Sequence, residues 1–234
     1  IYNPEKINLV IRFLFFLILF SCSYNKDLEN NISYLALGDS YTIGESVNYL
    51  YSYPIQLKNK LNFEEKIIDK VTVVAKTGWT TDELLDSLNL LGIKEKYDLV
   101  SLLIGVNNQY RGYDISNYSI DFEKLLIKAI GYSKNKNNVF VLSIPDYGVT
   151  SFISTEEEKK NIYNEINSYN SINKMISKKY NIMYFDITEI SRLAEFDTSL
   201  IAFDNLHPSR KMYNLWVEKI NQPVFNKIIK KLTN

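Results

Sequence analysis

The chain has 234 residues, 46% of them hydrophobic, and this composition fits a globular protein of about one domain. Lys and Arg together number 27, as do Asp and Glu, so the formal charge is zero and no basic excess predicts a nucleic-acid partner. One Cys and one His exclude an internal disulfide and a Cys/His zinc cluster. We expect no metal and no cofactor, and any chemistry that needs an imidazole must use His207.

The amino-terminal segment is predicted to lie outside the folded domain. Lys6 and Arg12 precede the uncharged apolar run of residues 13–20, which is too short to span a bilayer by itself. A positive flank followed by a short apolar run is typical of a secretory signal peptide. We therefore predict a signal peptide at residues 1–21.

Cys22 directly follows this segment, in the sequence Leu19-Phe20-Ser21-Cys22, which resembles a bacterial lipobox. The resemblance implies that Cys22 carries a lipid and that the protein is anchored in the bacterial cell envelope, on its periplasmic or cell-surface side. The alternative is a signal anchor with an incidental Cys. Residues 22–31 are polar and irregular and are predicted to be a tether, which leaves residues 32–234 as the domain.

Within that domain, short apolar runs alternate with segments of helical spacing. The runs show no polar alternation, which is typical of strands buried on both faces of a parallel sheet. The predicted strands are residues 33–37, 71–75, 98–104, 139–144 and 182–185. The predicted helices are residues 54–61, 82–91, 120–130, 155–179 and 209–232. Thr155 and Glu158 predict a capping box at the start of the fourth. We therefore predict an α/β fold, a three-layer α/β/α sandwich around a five-stranded parallel sheet.

Polar residues follow the predicted strands at positions where such sheets bind ligands. Gly38-Asp39-Ser40-Tyr41 follows the first run, Gly78 the second, and Gly105-Val106-Asn107 the third. Asp204-Asn205-Leu206-His207 precedes the last helix. The order of these segments predicts that a hydroxyl, a glycine amide, a side-chain amide and an imidazole converge on one edge of the sheet.

These groups suit acyl transfer. A Ser40 hydroxyl needs a base, and His207 is the natural base near neutral pH. Asp204 lies three residues before His207 and is placed to orient its ring. The backbone N–H groups of Ser40 and Gly78 and the side-chain amide of Asn107 are candidates for stabilising an oxyanion. Asp39 is interpreted as a structural residue of the nucleophile turn.

In these four segments the chain resembles the SGNH hydrolases, also called GDSL-type esterases and lipases. The resemblance covers about residues 33–230 and implies a flavodoxin-like SGNH hydrolase fold. It implies a catalytic triad of Ser40, Asp204 and His207 and an oxyanion hole of Ser40, Gly78 and Asn107. The third block often reads Gly-x-Asn-Asp in this family, whereas Asn108 occupies the last position here. We expect Asn108 to change local hydrogen bonding rather than the oxyanion donor.

The functional roles of other residues that follow the predicted strands are less specific. Tyr41, Trp79, Tyr110 and Tyr147 either line a pocket or pack at its rim, and packing is the more common role. Arg111 either meets an anionic substrate group or is a solvated surface side chain.

The sequence therefore predicts an esterase that acts through an acyl-enzyme intermediate on a lipid or acetylated-glycan ester. The alternative is a membrane-tethered binding module that keeps this fold without turnover. The oligomeric state is not predicted.

Overall fold

The computed structural model describes residues 32–65 and 68–226. The predicted signal peptide at residues 1–21, the tether at residues 22–31 and the lipid site Cys22 lie outside the described residues. So does the end of the last predicted helix, beyond residue 226.

A five-stranded sheet forms the centre of the fold, in the order β2-β1-β3-β4-β5, and every neighbouring pair is parallel. Consecutive parallel strands need crossover connections, and helices supply them. The strands are β1 (Ile32–Gly38), β2 (Ile68–Ala75), β3 (Leu99–Leu103), β4 (Val139–Leu142) and β5 (Met183–Phe185).

The described α-helices pack around this sheet in two sets. The helices α2 and α8 pack against each other, and α5 packs against both α3 and α6. Their bounds are α1 (Ser40–Ile43), α2 (Tyr53–Glu65), α3 (Thr81–Leu91), α4 (Val106–Tyr110), α5 (Ile115–Tyr132), α6 (Glu156–Lys179), α7 (Thr188–Arg192) and α8 (Arg210–Val224). The parallel five-stranded sheet and its surrounding helices confirm the predicted fold class.

The helix α5 begins at Ile115, five residues before the start that hydrophobic spacing predicts. Asp114 caps it, because its side chain accepts hydrogen bonds from the N–H groups of Ser116 and Asn117. The predicted cap at Thr155 is confirmed, since its side chain accepts from the N–H of Glu158. The polar capping residue thus defines where each of these two helices begins more precisely than the spacing of apolar residues does.

The prediction that all five strands are buried on both faces is wrong for the two edge strands, β2 and β5. All residues of β3 and β4 are buried, and β1 has one partly exposed position. In β2, by contrast, three of eight residues are exposed, and two of the three residues of β5 are only partly buried. Edge strands have a neighbour on one side and less helical cover, so an apolar run does not distinguish them from central strands.

Candidate active site

The carboxyl ends of β1, β2 and β3 open into one cavity with a volume of about 200 Å³. The turn before α8 (Arg210–Val224) forms the opposite wall. The cavity is lined by Ser40, Tyr41, Thr77, Gly78, Val106, Asn107, Tyr110, Tyr147, Phe152, Leu206 and His207. The fold therefore brings together four of the five residues predicted for the triad and the oxyanion hole, and the fifth, Asp204, lies behind His207.

Ser40 is the first residue of α1, and Asp39 alone separates it from the end of β1. Asp39 caps this helix, and its Oδ1 accepts a hydrogen bond from the Tyr41 N–H at 3.0 Å. Gly38 has no room for a side chain, because a Cβ there would lie 2.1 Å from Thr42 Oγ1 and 2.3 Å from the Leu103 carbonyl oxygen. This close approach holds the Ser40 turn tightly against the sheet.

Asp39 is fully buried beneath this turn and does not line the cavity. Burial raises its pKa to about 7, although the hydrogen bond from the Tyr41 N–H acts in the opposite direction. Its second carboxylate oxygen, Oδ2, has no hydrogen-bond partner among the described residues. These contacts fit the interpretation of Asp39 as a structural residue of the turn.

Asp204 and His207 form a hydrogen-bonded pair. His207 Nδ1 lies 2.6 Å from Asp204 Oδ2, and Asp204 Oδ1 accepts from the N–H groups of Leu206 and His207 at 3.0 Å each. Burial acts to raise the Asp204 pKa, but hydrogen bonds from Ser46, His207 and the backbone outweigh it and lower the pKa to about 2.

An ionised Asp204 carboxylate can only accept hydrogen bonds. In neutral His207, the proton of the short bond therefore belongs to Nδ1, and Nε2 is left as the acceptor that a general base requires. The side chains of Ser40 and His207 both border the cavity without a direct hydrogen bond between them. Such bonds commonly tighten when substrate binds.

Gly78 lies in a turn that is closed by a hydrogen bond from the Trp79 N–H to the Lys76 carbonyl oxygen at 3.2 Å. Its φ of +84° is one that glycine adopts readily and other residues do not. Arg111 donates to the Gly78 carbonyl oxygen at 2.7 Å and forms an ion pair with Glu83. Arg111 is thus an exposed surface side chain, the second of its two predicted roles, and it also supports the Gly78 turn.

Asn107 and Asn108 have different partners although they are adjacent. Asn107 Nδ2 donates to the Trp79 carbonyl oxygen at 2.9 Å, and since an amide nitrogen carries two hydrogens, the second remains for an oxygen in the cavity. Asn108 is buried and bonds Thr81 twice, accepting from its N–H and donating to its hydroxyl. Asn108 therefore holds the start of α3 (Thr81–Leu91), while Asn107 lines the cavity.

Aromatic rings form one wall of the cavity. Tyr41, Tyr110 and Tyr147 line it, and Trp79 does not. The rings of Tyr110 and Tyr147 meet edge to face with centroids 6.2 Å apart. Phe152 also lines the wall, and no pattern in the sequence indicates this, because Phe152 lies in a loop without a motif or a regular period.

No group of three or more His, Cys, Asp and Glu side chains within residues 32–65 and 68–226 is arranged to hold a metal ion. Over the same ranges, no helix is both long enough and apolar enough to cross a bilayer.

A comparison of the sequence with models of protein families agrees with the fold and the cavity described above. The model of the GDSL-like lipase/acylhydrolase family matches residues 36–215. The chain therefore belongs to this family of carboxylic ester hydrolases. No reviewed protein sequence matches it significantly.

Solved structures share the fold at low sequence identity. Axe2, an acetylxylan esterase from Geobacillus stearothermophilus, is 19% identical with a TM-score of 0.65, over 82% of this chain and 94% of that one. The psychrotrophic esterase EstA from Pseudoalteromonas sp. is 18% identical with a TM-score of 0.62, over 87% and 100%. A member of the lipolytic G-D-S-L family from Veillonella parvula is 17% identical with a TM-score of 0.62, over 83% and 98%. At these identities the likeness shows the fold alone.

Proposed function

We propose that this protein is a serine-dependent ester hydrolase with Ser40 as nucleophile, His207 as general base and Asp204 as the residue that orients His207. The observation that carries the proposal is the 2.6 Å bond between Asp204 Oδ2 and His207 Nδ1 at the wall of the cavity that Ser40 also lines.

The mechanism follows from the positions of these groups. Ser40 Oγ attacks the ester carbonyl carbon while His207 Nε2 takes its proton, and the carbonyl oxygen becomes an oxyanion. The N–H groups of Ser40 and Gly78 and the Asn107 amide donate to that oxygen. Collapse of the intermediate expels the alcohol, which receives the proton from His207. His207 then takes a proton from water, which attacks the acyl carbon. The bond from that carbon to Ser40 Oγ breaks, the carboxylic acid leaves, and His207 returns the proton to Ser40.

The size and lining of the cavity favour a short, uncharged acyl group. Its volume of about 200 Å³ lies below the range of roughly 300–1,000 Å³ that is usual for sites of drug-sized ligands. No Lys, Arg, Asp or Glu is among its lining residues, so nothing there pairs with a charged acyl group. We propose acetyl and other short acyl esters, as in acetylated glycans, ahead of long-chain lipid esters.

The nucleophile is tested with p-nitrophenyl acetate and the variant Ser40→Ala. We expect Ser40→Ala to abolish turnover and labelling by a fluorophosphonate. Ser168→Ala is the matched control, because Ser168 is exposed on α6, donates to the Asn164 carbonyl oxygen and does not line the cavity. Equal rates for wild type and Ser40→Ala would contradict the proposed mechanism.

The acyl preference is tested with p-nitrophenyl esters from acetate to palmitate, together with acetylated xylose. We expect kcat/KM to be highest for the shortest chains. A maximum at eight carbons or longer would contradict the preference for short groups and would favour lipid esters.

A binding module without turnover is the alternative. It predicts that a folded sample neither hydrolyses any of these esters nor reacts with the fluorophosphonate. The pairing of Asp204 with His207 supports the enzyme, because a binding site has no need of an oriented base.

We also propose that Cys22 is lipidated and anchors the protein in a bacterial cell envelope. The support is the position of this Cys after a short apolar run with a positive flank. The chain, expressed in a bacterium with a start methionine added, would be fed an alkyne fatty acid. We expect label in the wild type and none in Cys22→Ala, and equal label in both would contradict the proposal.

A further inference from the structure

A tight turn at residues 44–47 directly follows α1, the short helix that begins at Ser40. The backbone N–H groups of Gly44 and Glu45 both donate to the Ser40 carbonyl oxygen at 3.1 Å. The turn closes on itself through a bond from the Val47 N–H to the Gly44 carbonyl oxygen at 3.2 Å. Main-chain bonds therefore fix the position of this turn relative to Ser40.

Ser46 lies in this turn and contacts the acid of the proposed triad. Its Oγ donates to Asp204 Oδ2 at 2.5 Å, and this is the same oxygen that lies 2.6 Å from His207 Nδ1. The other oxygen, Oδ1, accepts the N–H groups of Leu206 and His207. Across the part of the chain that the structure describes, Ser46 thus supplies the one hydrogen bond to this carboxylate from outside residues 204–207.

The backbone at Ser46 is strained. Its φ is +63°, in the left-handed region that glycine occupies freely and a residue with a Cβ does not. Asn181 and Asn205 are the other non-glycine residues with positive φ in the described ranges, and asparagine tolerates this region better than serine. Strained residues commonly cluster at functional sites, and here the strained residue meets the acid Asp204.

We propose that Ser46 is a positioning residue for the ester hydrolysis. Its hydroxyl holds the Asp204 carboxylate toward His207 Nδ1 and thereby keeps the imidazole in the orientation in which Nε2 faces Ser40. The turn also sets the spacing of nucleophile and acid, since it is bonded to Ser40 through its main chain and to Asp204 through its side chain. This inference rests on the proposed function, because it requires Ser40, Asp204 and His207 to act together.

The variant Ser46→Gly separates a positioning role from a structural one. Glycine removes the hydroxyl and also relieves the positive φ, so we expect the thermal midpoint to stay equal or to rise. A positioning role further predicts a kcat for p-nitrophenyl acetate that is about tenfold lower, with KM changed less than twofold, because the lost bond orients the base and does not touch substrate. Ser46→Ala keeps a Cβ and is expected to show the same loss of kcat.

Asn181→Gly is the matched control. It makes the same change of backbone preference in the turn before β5, at the edge of the sheet opposite the site, and is expected to leave kcat unchanged. If Ser46→Gly and Ser46→Ala keep kcat within twofold of wild type while Ser40→Ala is inactive, the role of Ser46 is overturned and the proposed function stands. If Ser40→Ala keeps wild-type activity, the proposed function itself is overturned.

Discussion

The two oxygens of the Asp204 carboxylate have different partners. Oδ1 accepts hydrogen bonds from two backbone N–H groups and so shapes the turn that carries His207. Oδ2 accepts hydrogen bonds from His207 Nδ1 and from Ser46 Oγ. Because these bonds favour the charged form, the Asp204 pKa falls to about 2 and the group is ionised at neutral pH. The same residue thus stabilises the turn and orients the proposed base.

We expect Asp204→Asn to lower kcat about a thousandfold, because an amide keeps the shape of the turn but does not hold His207 in the required tautomer. The measurement is the steady-state kcat for p-nitrophenyl acetate, with far-ultraviolet circular dichroism to show that the variant is folded. Asp121→Asn is the control and should retain wild-type activity, because Asp121 is a partly exposed residue of α5 that pairs with Lys124 and does not line the cavity. A loss of less than tenfold in Asp204→Asn would contradict the orienting role.

The raised pKa of the Asp39 carboxyl predicts how the stability of the protein depends on pH. Its pKa is about 7 in the folded protein, against an ordinary value of 3.8, because burial disfavours the charge. Between these values the folded state holds more protons than the unfolded state, so Asp39 lowers the free energy of unfolding as pH rises from about 4 to 7. We expect Asp39→Asn to lose this part of the pH dependence.

Urea unfolding of the wild type and Asp39→Asn at pH 5 and pH 7.5 measures the effect. The wild type should lose more stability between the two pH values than the variant does. An identical change in both proteins would show that Asp39 does not bind the extra proton.

At the scale of elements, side-chain amides bond the segment after β3 to the segment after β2. Asn108, in the short helix α4, bonds the N–H and the hydroxyl of Thr81 at the start of α3. Asn107, beside it, bonds the carbonyl oxygen of Trp79 in the turn after β2. These bonds join the segment after β2 to the segment after β3, and we expect them to keep the spacing between the Asn107 amide and the Gly78 N–H.

Asn108→Ala leaves the buried Thr81 N–H without its acceptor. An unsatisfied buried donor costs about 1–3 kcal/mol, so we expect the free energy of unfolding to fall by about that amount. Urea denaturation measures it, and Asn89→Ala, at an exposed position of α3, is the control, expected to stay within about 0.5 kcal/mol of wild type. Equal effects of the two substitutions would contradict the proposed link.

At the scale of the whole molecule, residues 32–226 include the sheet, the cavity and every residue proposed for catalysis. The central strands β1, β3 and β4 lie in one buried core, and the cavity opens at the carboxyl ends of β1, β2 and β3. The reaction proposed here uses no residue before Ser40.

A chain that begins at residue 24 is therefore expected to keep the activity of the longer chain. We expect its kcat for p-nitrophenyl acetate to lie within twofold and its thermal midpoint to lie within a few degrees. Purified protein with and without residues 1–23 provides the comparison. A tenfold loss of kcat, or loss of cooperative unfolding, would show that the deleted segment contributes to the domain.

Local patterns in the sequence were sufficient to predict the strands of this protein and the main residues around its cavity. The uninterrupted apolar runs predicted all five strands, and the four motifs predicted the cavity and its main residues, since each motif follows a strand and parallel strands end at the same edge. Short-range features such as the Thr155 cap were also readable, because donor and acceptor lie three residues apart.

Contacts between distant residues were decided by the tertiary structure alone. Ser46 and Asp204 are separated by 158 positions and Arg111 and Gly78 by 33, and neither Ser46 nor Arg111 belongs to a motif that names its partner. The exposure of β2 and the entry of Phe152 into the cavity wall likewise depend on which elements pack beside them. The partner of a side chain depends on which distant residues the folded chain brings next to it. Residue type and local spacing do not determine which residues those are.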